Sequence, residues 1–352
     1  MEASAGLARR FAAEAGRWNG EAKKAAPPPL VDMKFRHLIA VLASVVALAL
    51  LAIVVFLAVY SWPAIRMNGA GFLRRNTWNL GNLYSDPILR HGREVMPGAS
   101  YGILFLIAGT LLSTLIAVIL AIPVGVGAAI FLAEAVPAGM RSWISFFVEM
   151  LAAIPSVVFG LWGYVVVIPF LGHHLYPWMA HHLKFIPFFA GHSGSGYGLL
   201  TAGLVLCLMI VPLITATLRD ALVTQLATQR DASLALGASR FETLWSVLLP
   251  GARRVLIGSS ILATGRALGE TMAVLMISGN ALNYLPRNIY SPISTMASFI
   301  VSQLDSALQD PTGIAVRSLA EVALVLCVIS VVVNGAARLL IYYHGRWSAR
   351  MA

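Results

Sequence analysis

Six apolar runs divide this chain: Leu38–Tyr60, Tyr101–Ala133, Trp143–Leu171, Leu199–Leu218, Val255–Ser278 and Leu319–Tyr343. An α-helix rises about 1.5 Å per residue, so about 20 residues cross a hydrocarbon core about 30 Å thick. Each run is long enough, and the second and third leave length for tilt or for re-entrant or interfacial turns. Composition points the same way. Of 352 residues, 59% are apolar and 11% charged, too little charge for a soluble globular chain of this length. The expected fold is an all-α membrane protein with six transmembrane helices. Pro123, Pro155, Pro169 and Pro212 fall inside the runs. Membrane helices tolerate such breaks where neighbours or water satisfy the freed carbonyls.

Basic residues set the expected orientation. The first segment carries Arg9, Arg10, Arg17, Lys23, Lys24, Lys34 and Arg36, and the loop between runs four and five carries Arg219, Arg230, Arg240, Arg253 and Arg254. Arg338, Arg346 and Arg350 stand near the other terminus, against Arg66, Arg74, Arg75, Arg90 and Arg93 in the first loop of the opposite side. The bias places both termini in the cytoplasm. The organisation read from the runs is a cytoplasmic tail over 1–37, a transmembrane domain over 38–343 with a cytoplasmic loop at 219–254, and a cytoplasmic tail over 344–352. The net charge of +10 reflects this asymmetry and anionic lipid headgroups, so nucleic acid is not expected as a partner.

Glu2, Glu14 and Glu21 interrupt the first basic run, and no small-residue cleavage site follows a short apolar core, so a cleaved signal is not expected. A mobile tail ended by Pro27–Pro29 explains this segment more simply than an amphipathic surface helix. Cys207 and Cys327 sit in different apolar runs, where they act as small apolar fillers rather than a disulfide. No phosphate-binding loop or H-E-x-x-H text occurs, so the chain shows no catalytic engine of its own. Glycines at Gly125–Gly127 and Gly194–Gly198 read as helix packing and a loop. His173, His174, His181, His182 and His192 crowd the segment 171–198 without an acidic or cysteine partner. An interfacial outer loop with Tyr176, Trp178 and Phe185 explains them better than a zinc site, and no metal is expected.

Arg266 and Glu270 interrupt the fifth run. If that run enters the bilayer near Val255, they lie roughly 16 and 22 Å deep on one face of one helix. An ionised group near the midplane costs at least about 2.5 kcal/mol on insertion scales, so such residues face a bundle interior or a watery path. The alternative is a pair that only fixes packing. Arg preceding Glu is the poorer orientation for that pair, and Gly265 and Gly269 supply close helix approach without charge. Glu149, Glu321, Asn334 and Arg338 stand nearer the ends of their runs, where snorkelling or headgroup contact is expected.

The loop between runs four and five has its own logic. Asp231-Ala232-Ser233-Leu234-Ala235-Leu236 is good helix text that stops at Gly237, and Ser239-x-x-Glu242 is a capping box opening a second helix. Phe241, Trp245 and Leu248 or Leu249 recur one turn apart, with Pro250 closing the element. The expected product is a helix–turn–helix whose apolar ridge suits a groove on another protein or a membrane surface.

This text, Asp231-Ala232-Ser233-x-x-x-Gly237, then nine residues, then Val247-x-Leu249-Pro250, resembles the E-A-A-x-x-x-G, nine residues, I-x-L-P loop of ABC-importer permeases. Asp, Ser and Val replace Glu, Ala and Ile conservatively. Two further passages, Gly265–Val274 and Leu151–Leu171, are similar to those of PstC-type permease subunits of phosphate importers. The resemblance runs from about the first apolar run to the end and implies a type I ABC-importer permease in the bacterial plasma (inner) membrane. It implies an ATPase-coupling role for Asp231, Ala232, Gly237, Phe241, Trp245, Leu249 and Pro250. It also implies a transport role for Arg266 and Glu270. The implied partners are a paralogous PstA-type permease, a dimer of ATP-binding subunits, an external phosphate-binding protein, inorganic phosphate and membrane lipid. The chain binds no cofactor on this reading, and ATP and Mg²⁺ are used by the partner ATPase.

Arginine stays charged and presents a planar fork that matches phosphate oxygens. Arg266 is thus expected to meet the substrate. Glu270 has two roles open to it, as resting counter-charge to Arg266 or as acceptor from a protonated phosphate oxygen. The competing reading is an ion-coupled secondary anion transporter acting without an ATPase, which leaves the helix–turn–helix loop without a purpose. A membrane enzyme is disfavoured by the missing nucleophile and metal constellation.

Overall fold

The computed structural model describes residues 30–348, with side chains from 35 to 339 except at 138 and 225. The tails expected at 1–29 and 349–352 lie outside the described residues. The chain divides into two units at Phe56/Leu57. In the first, the described residues form part of helix α1 (Leu30–Asn68), whose apolar side chains from Phe35 to Phe56 are almost all exposed, as lipid contact requires.

The second unit holds the remaining elements. Four short strands follow α1: β1 (Trp78–Asn79), β2 (Ile88–Arg90), β3 (Arg93–Val95) and β4 (Ser100–Tyr101). β1 pairs antiparallel with β4, placing Trp78 opposite Tyr101, and β2 pairs with β3. Next come α2 (Leu104–Ile130) with a π-helical turn at Phe131–Ala135, α3 (Ala138–Ala153), and α4 (Ser156–Trp162), which continues through alternating π and α turns to His182. Helix α5 (Leu199–Asp220) ends in a π turn at Ala221–Gln225. Then follow α6 (Ala227–Ala235), α7 (Arg240–Thr243), a π turn at Leu244–Leu248, α8 (Leu249–Leu268), α9 (Met272–Ile277), α10 (Met296–Leu308) and α11 (Ile314–Ser348).

Among the described residues, six helical runs are long and apolar enough to cross a membrane: Phe35–Asn68, Leu104–Ala135, Ser156–His182, Leu199–Thr224, Arg240–Leu268 and Ile314–Leu339. Two differ materially from the sequence expectation. The third expected run, Trp143–Leu171, is cut at Pro155. Ile154 before it is forced extended (φ −62°, ψ 130°), so α3 ends and a separate span begins at Ser156. That span takes in His173, His174, His181 and His182, which are helical rather than part of an outer loop. His174 stacks on Phe170 and His182 on Trp178, and no group of three candidate metal ligands forms among the described residues. The helix that holds the fifth apolar run starts at Arg240, ahead of Val255, and ends at Leu268, short of Ser278.

The centre of the second unit is the α2–α5 pair. Ala117, Ala121, Gly125 and Ala129 recur every fourth residue on α2, and Leu206, Ile210, Ile214 and Leu218 recur every fourth on α5. Small residues let the backbones approach closely while the branched residues fill the groove, which is how membrane helices associate without a hydrophobic driving force. These residues, with Ala263, Ala267 and Val274, form two contiguous buried clusters. A third cluster joins the strands to α10 and α11, where Trp78 meets Tyr101 and Phe299 edge-on at 5.0 and 5.1 Å.

Candidate functional site

Ser239 caps α7 by a complete capping box: its Oγ accepts from Glu242 N at 3.3 Å, and its own N–H donates to Glu242 Oε2 at 2.8 Å. Helix α6 stops at Gly237, whose φ of +88° is the left-handed conformation only glycine adopts freely. Gly237 N bonds Leu234 O at 3.0 Å and Ala238 N bonds Ser233 O at 3.2 Å, together a Schellman stop. The Ser233 and Thr243 hydroxyls, 3.0 Å apart, staple the two helices. Asp231, Ala232 and Leu236 lie on the exposed side, with Phe241 69% and Trp245 57% exposed and their rings 6.0 Å apart. Leu248 turns inward into the packed base of the hairpin, and Leu249 is half-buried.

Pro250 does not close the element. α7, the π turn and α8 follow one another without a gap, and Pro250 sits in the first turn of α8. The π turn just before it absorbs the hydrogen bond and the space that the proline ring would otherwise take from the preceding turn. The span that carries Arg266 is therefore a direct extension of the hairpin. The segment expected as a loop at 219–254 is helical over much of its length, with 219–224 continuing the fourth helical run and 240–254 opening the fifth.

Arg266 lies in the last turn of α8, exposed, where a cation is favoured by the helix dipole. Glu270 is not on that helix. Gly269 caps it with φ −91° and ψ 0°, Glu270 follows in irregular backbone, and α9 starts only at Met272. Among the described residues no ion pair joins Arg266 to Glu270, so the expectation of two charges one turn apart on one helix face is corrected. The break is held from outside. α9 packs on α4 at Gly160, where an added Cβ would stand 2.9 Å from Met276 Sδ and 3.0 Å from Ala273 Cα. Beyond α9, Ile293 N donates to Ser278 O at 2.9 Å and Gly198 N to Ile277 O at 3.4 Å, pinning its far end.

Depth follows from the same geometry. Arg253 and Arg254 are exposed, and the rise from Val255 to Leu268 is roughly 20 Å, less than the roughly 30 Å of a hydrocarbon core. With entry at Val255, just past those two arginines, the irregular stretch Gly269–Thr271 falls within the membrane thickness. Backbone of that kind persists only where protein buries it or water reaches it. Gly265 faces α11, where an added Cβ would come within 3.3 Å of Asn334 Nδ2. Gly269 packs against no other element and serves as the helix end.

Several polar contacts have no signal in the sequence, because their partners are far apart along the chain. Glu321 is only 5% exposed and accepts from Asn68 Nδ2 at 2.8 Å, and Glu149 accepts from Arg219 Nη2 at 3.1 Å. Glu321 thus departs from the snorkelling or headgroup contact expected for it, whereas the Glu149 side chain keeps 56% of its surface exposed. Arg219 and Glu149 also line a cavity of about 460 Å³ with Arg141, Ser145 and Asp220. Glu134 pairs with Arg230.

The site therefore lies in a bundle of helices long and apolar enough to cross a membrane, with an exposed hairpin running straight into the helix that holds Arg266. Residues 121–343 match the family described as binding-protein-dependent transport system inner membrane component, and the chain belongs to that family. It is 45% identical over 278 residues to the phosphate transport system permease protein PstC 1 of Mycobacterium tuberculosis, covering 78% of this chain and 82% of the relative. With the phosphate transport system permease protein PstC of Pasteurella multocida it shares 35% identity over 338 residues, covering 95% and 97%. Among solved structures, an inward-facing conformation of the MetNI methionine ABC transporter aligns with 68% of this chain and 96% of that chain, at a TM-score of 0.48 and 14% identity.

Proposed function

We propose that this chain is the membrane-spanning permease subunit of an ATP-driven importer of inorganic phosphate, forming half of the translocation path and catalysing nothing itself. The observation that carries the reading is the broken fifth span. It is continuous with an exposed hairpin at one end and, at the other, presents Arg266 beside backbone that needs protein or water around it. A fixed guanidinium there matches an anion with several acceptor oxygens, and the names of the PstC relatives supply phosphate as that anion. Glu270, released from the helix, is free to serve as counter-charge or as acceptor from a protonated phosphate oxygen.

The hairpin gives the source of work. Phe241 and Trp245, with Asp231, Ala232 and Leu236 beside them, form an exposed ridge suited to a cleft on an ATPase. In this reading both termini lie in the cytoplasm, a dimer of ATP-binding subunits uses ATP and Mg²⁺, and this chain holds no cofactor. A paralogous PstA-type permease completes the path, and an external phosphate-binding protein delivers the substrate. The test is complementation. Cells deleted for their own PstC-type subunit and given this chain with its cognate partners regain phosphate uptake that excess sulfate does not inhibit. Failure to regain it, with the complex assembled in the membrane, would overturn the reading.

A further inference from the structure

Besides its two backbone continuations, back into α5 and on into α8, the hairpin is tied to the bundle by a side-chain pair. Arg230 immediately precedes Asp231 on α6, yet the two side chains part company: Asp231 is exposed, whereas the Arg230 side chain is only 20% exposed and turns inward. Its Nη2 donates to Glu134 Oε1 and, at 3.4 Å, to the carbonyl of Leu222. Glu134 lies in the π turn that ends α2 and is itself 24% exposed on its side chain. A pair so shielded from water is screened far less than a surface pair, and its guanidinium–carboxylate hydrogen bond is directional.

The turn that holds Glu134 is stiff. Arg141 at the start of α3 donates through Nη2 to Ala133 O at 2.7 Å and to Val136 O at 3.3 Å, tying off the carbonyls at the end of α2. Ala129 and Ala133 on α2 and Leu218 and Leu222 on α5 form one apolar cluster with Leu226, Leu248 and Ala252. A displacement of α6 therefore has a side-chain outlet besides its backbone continuations, back through Ala221–Gln225 into α5 and on through α7 into α8 and Arg266. That outlet runs through Arg230 and Glu134 to the end of α2, which packs on α5 along its small-residue stripe.

We propose that Glu134 and Arg230 are a positioning pair through which the α6–α7 hairpin moves α2, so that the ATPase stroke reaches α2 directly as well as the two spans joined to the hairpin by backbone. The inference rests on the ATP-driven reading above and deepens it. Neither residue touches substrate. Their role is to convert hairpin motion into motion of α2, so their loss separates ATP hydrolysis from transport instead of lowering both.

The experiment uses the complete assembly in proteoliposomes, with phosphate uptake and ATP hydrolysis measured on the same preparation. Glu134→Gln and Arg230→Gln are each expected to lower phosphate moved per ATP at least five-fold, while hydrolysis stimulated by the binding protein stays within two-fold of wild type. The exchanged pair, Glu134→Arg with Arg230→Glu, restores at least half of the ratio. An unchanged ratio in both single variants overturns the proposal. So does a parallel fall of hydrolysis and uptake, or an exchanged pair that assembles but stays as poor as the single variants. Absence of ATP-dependent phosphate uptake by the wild-type assembly would instead sink the functional reading itself.

Discussion

Replacing Arg266 by Gln removes one positive charge from the end of α8 while keeping a side chain of similar reach and polarity. The structure bounds the effect. Two unit charges 4 Å apart interact by about 1 kcal/mol in bulk water and about 4 kcal/mol at an effective dielectric of 20. Arg266 is exposed in the chain but sits at a break within the membrane thickness, between those limits. A loss of about 2–3 kcal/mol of stabilisation for phosphate in the path corresponds to roughly 30- to 150-fold in rate. Arg266→Lys keeps the charge and loses the planar fork, so its uptake is expected to fall about five-fold, near 1 kcal/mol. The assay is initial phosphate uptake in proteoliposomes holding the complete assembly, normalised to the amount of complex, with ATP hydrolysis followed in parallel. Among the described residues Arg266 makes no ion pair, so assembly of the variant is expected to be unchanged. Uptake by Arg266→Gln within two-fold of wild type would refute the assignment. Equal losses for Gln and Lys would show that geometry alone, rather than charge, matters at this position.

Three further outcomes follow from the same geometry. Phe241→Ala with Trp245→Ala removes the exposed aromatic ridge, and buried aromatic anchors contribute at least about 2 kcal/mol each to an interface. Co-purification with the ATPase is therefore expected to be lost while the chain's own thermal midpoint in detergent stays unchanged. Gly160→Val would press on Ala273 and Met276 of α9, an overpacking cost of about 1–3 kcal/mol, seen as a lowered thermal midpoint and impaired uptake; a wild-type midpoint would contradict the close approach. Asn68→Leu strips Glu321 of the hydrogen bond that it accepts from Asn68 and is expected to destabilise the protein by about 1–3 kcal/mol, with Glu321→Gln in the same background recovering part of the loss.

What could be read from the residues depended on how far apart the determinants lie. The hairpin's stop at Gly237 and its restart at Ser239–Glu242 were legible because each signal acts within four residues. The break at Gly269 was not. No proline marks it, and Gly265 and Gly269 read equally well as a packing pair on one continuous helix. The decision is made by α9 docking on α4 at Gly160 and by the return of 278–295 onto its end. Pro250 misled in the opposite direction, since a proline after an aromatic ridge reads as a stop and a π turn instead carries the helix through it. The carboxylate pairings were hidden for a third reason. Glu134, Glu149 and Glu321 find partners 96, 70 and 253 residues away, distances over which local pattern carries no information.

In the proposed mechanism phosphate crosses through this chain under power delivered at the α6–α7 hairpin. Its most direct test is phosphate flux in proteoliposomes reconstituted with this chain, its partner permease, the ATPase and the binding protein, compared with this chain alone under an imposed ion gradient. The mechanism predicts flux that requires both ATP and the ATPase, and none from the chain alone. Gradient-driven phosphate uptake by the chain alone, with no dependence on ATP in the full assembly, would contradict it.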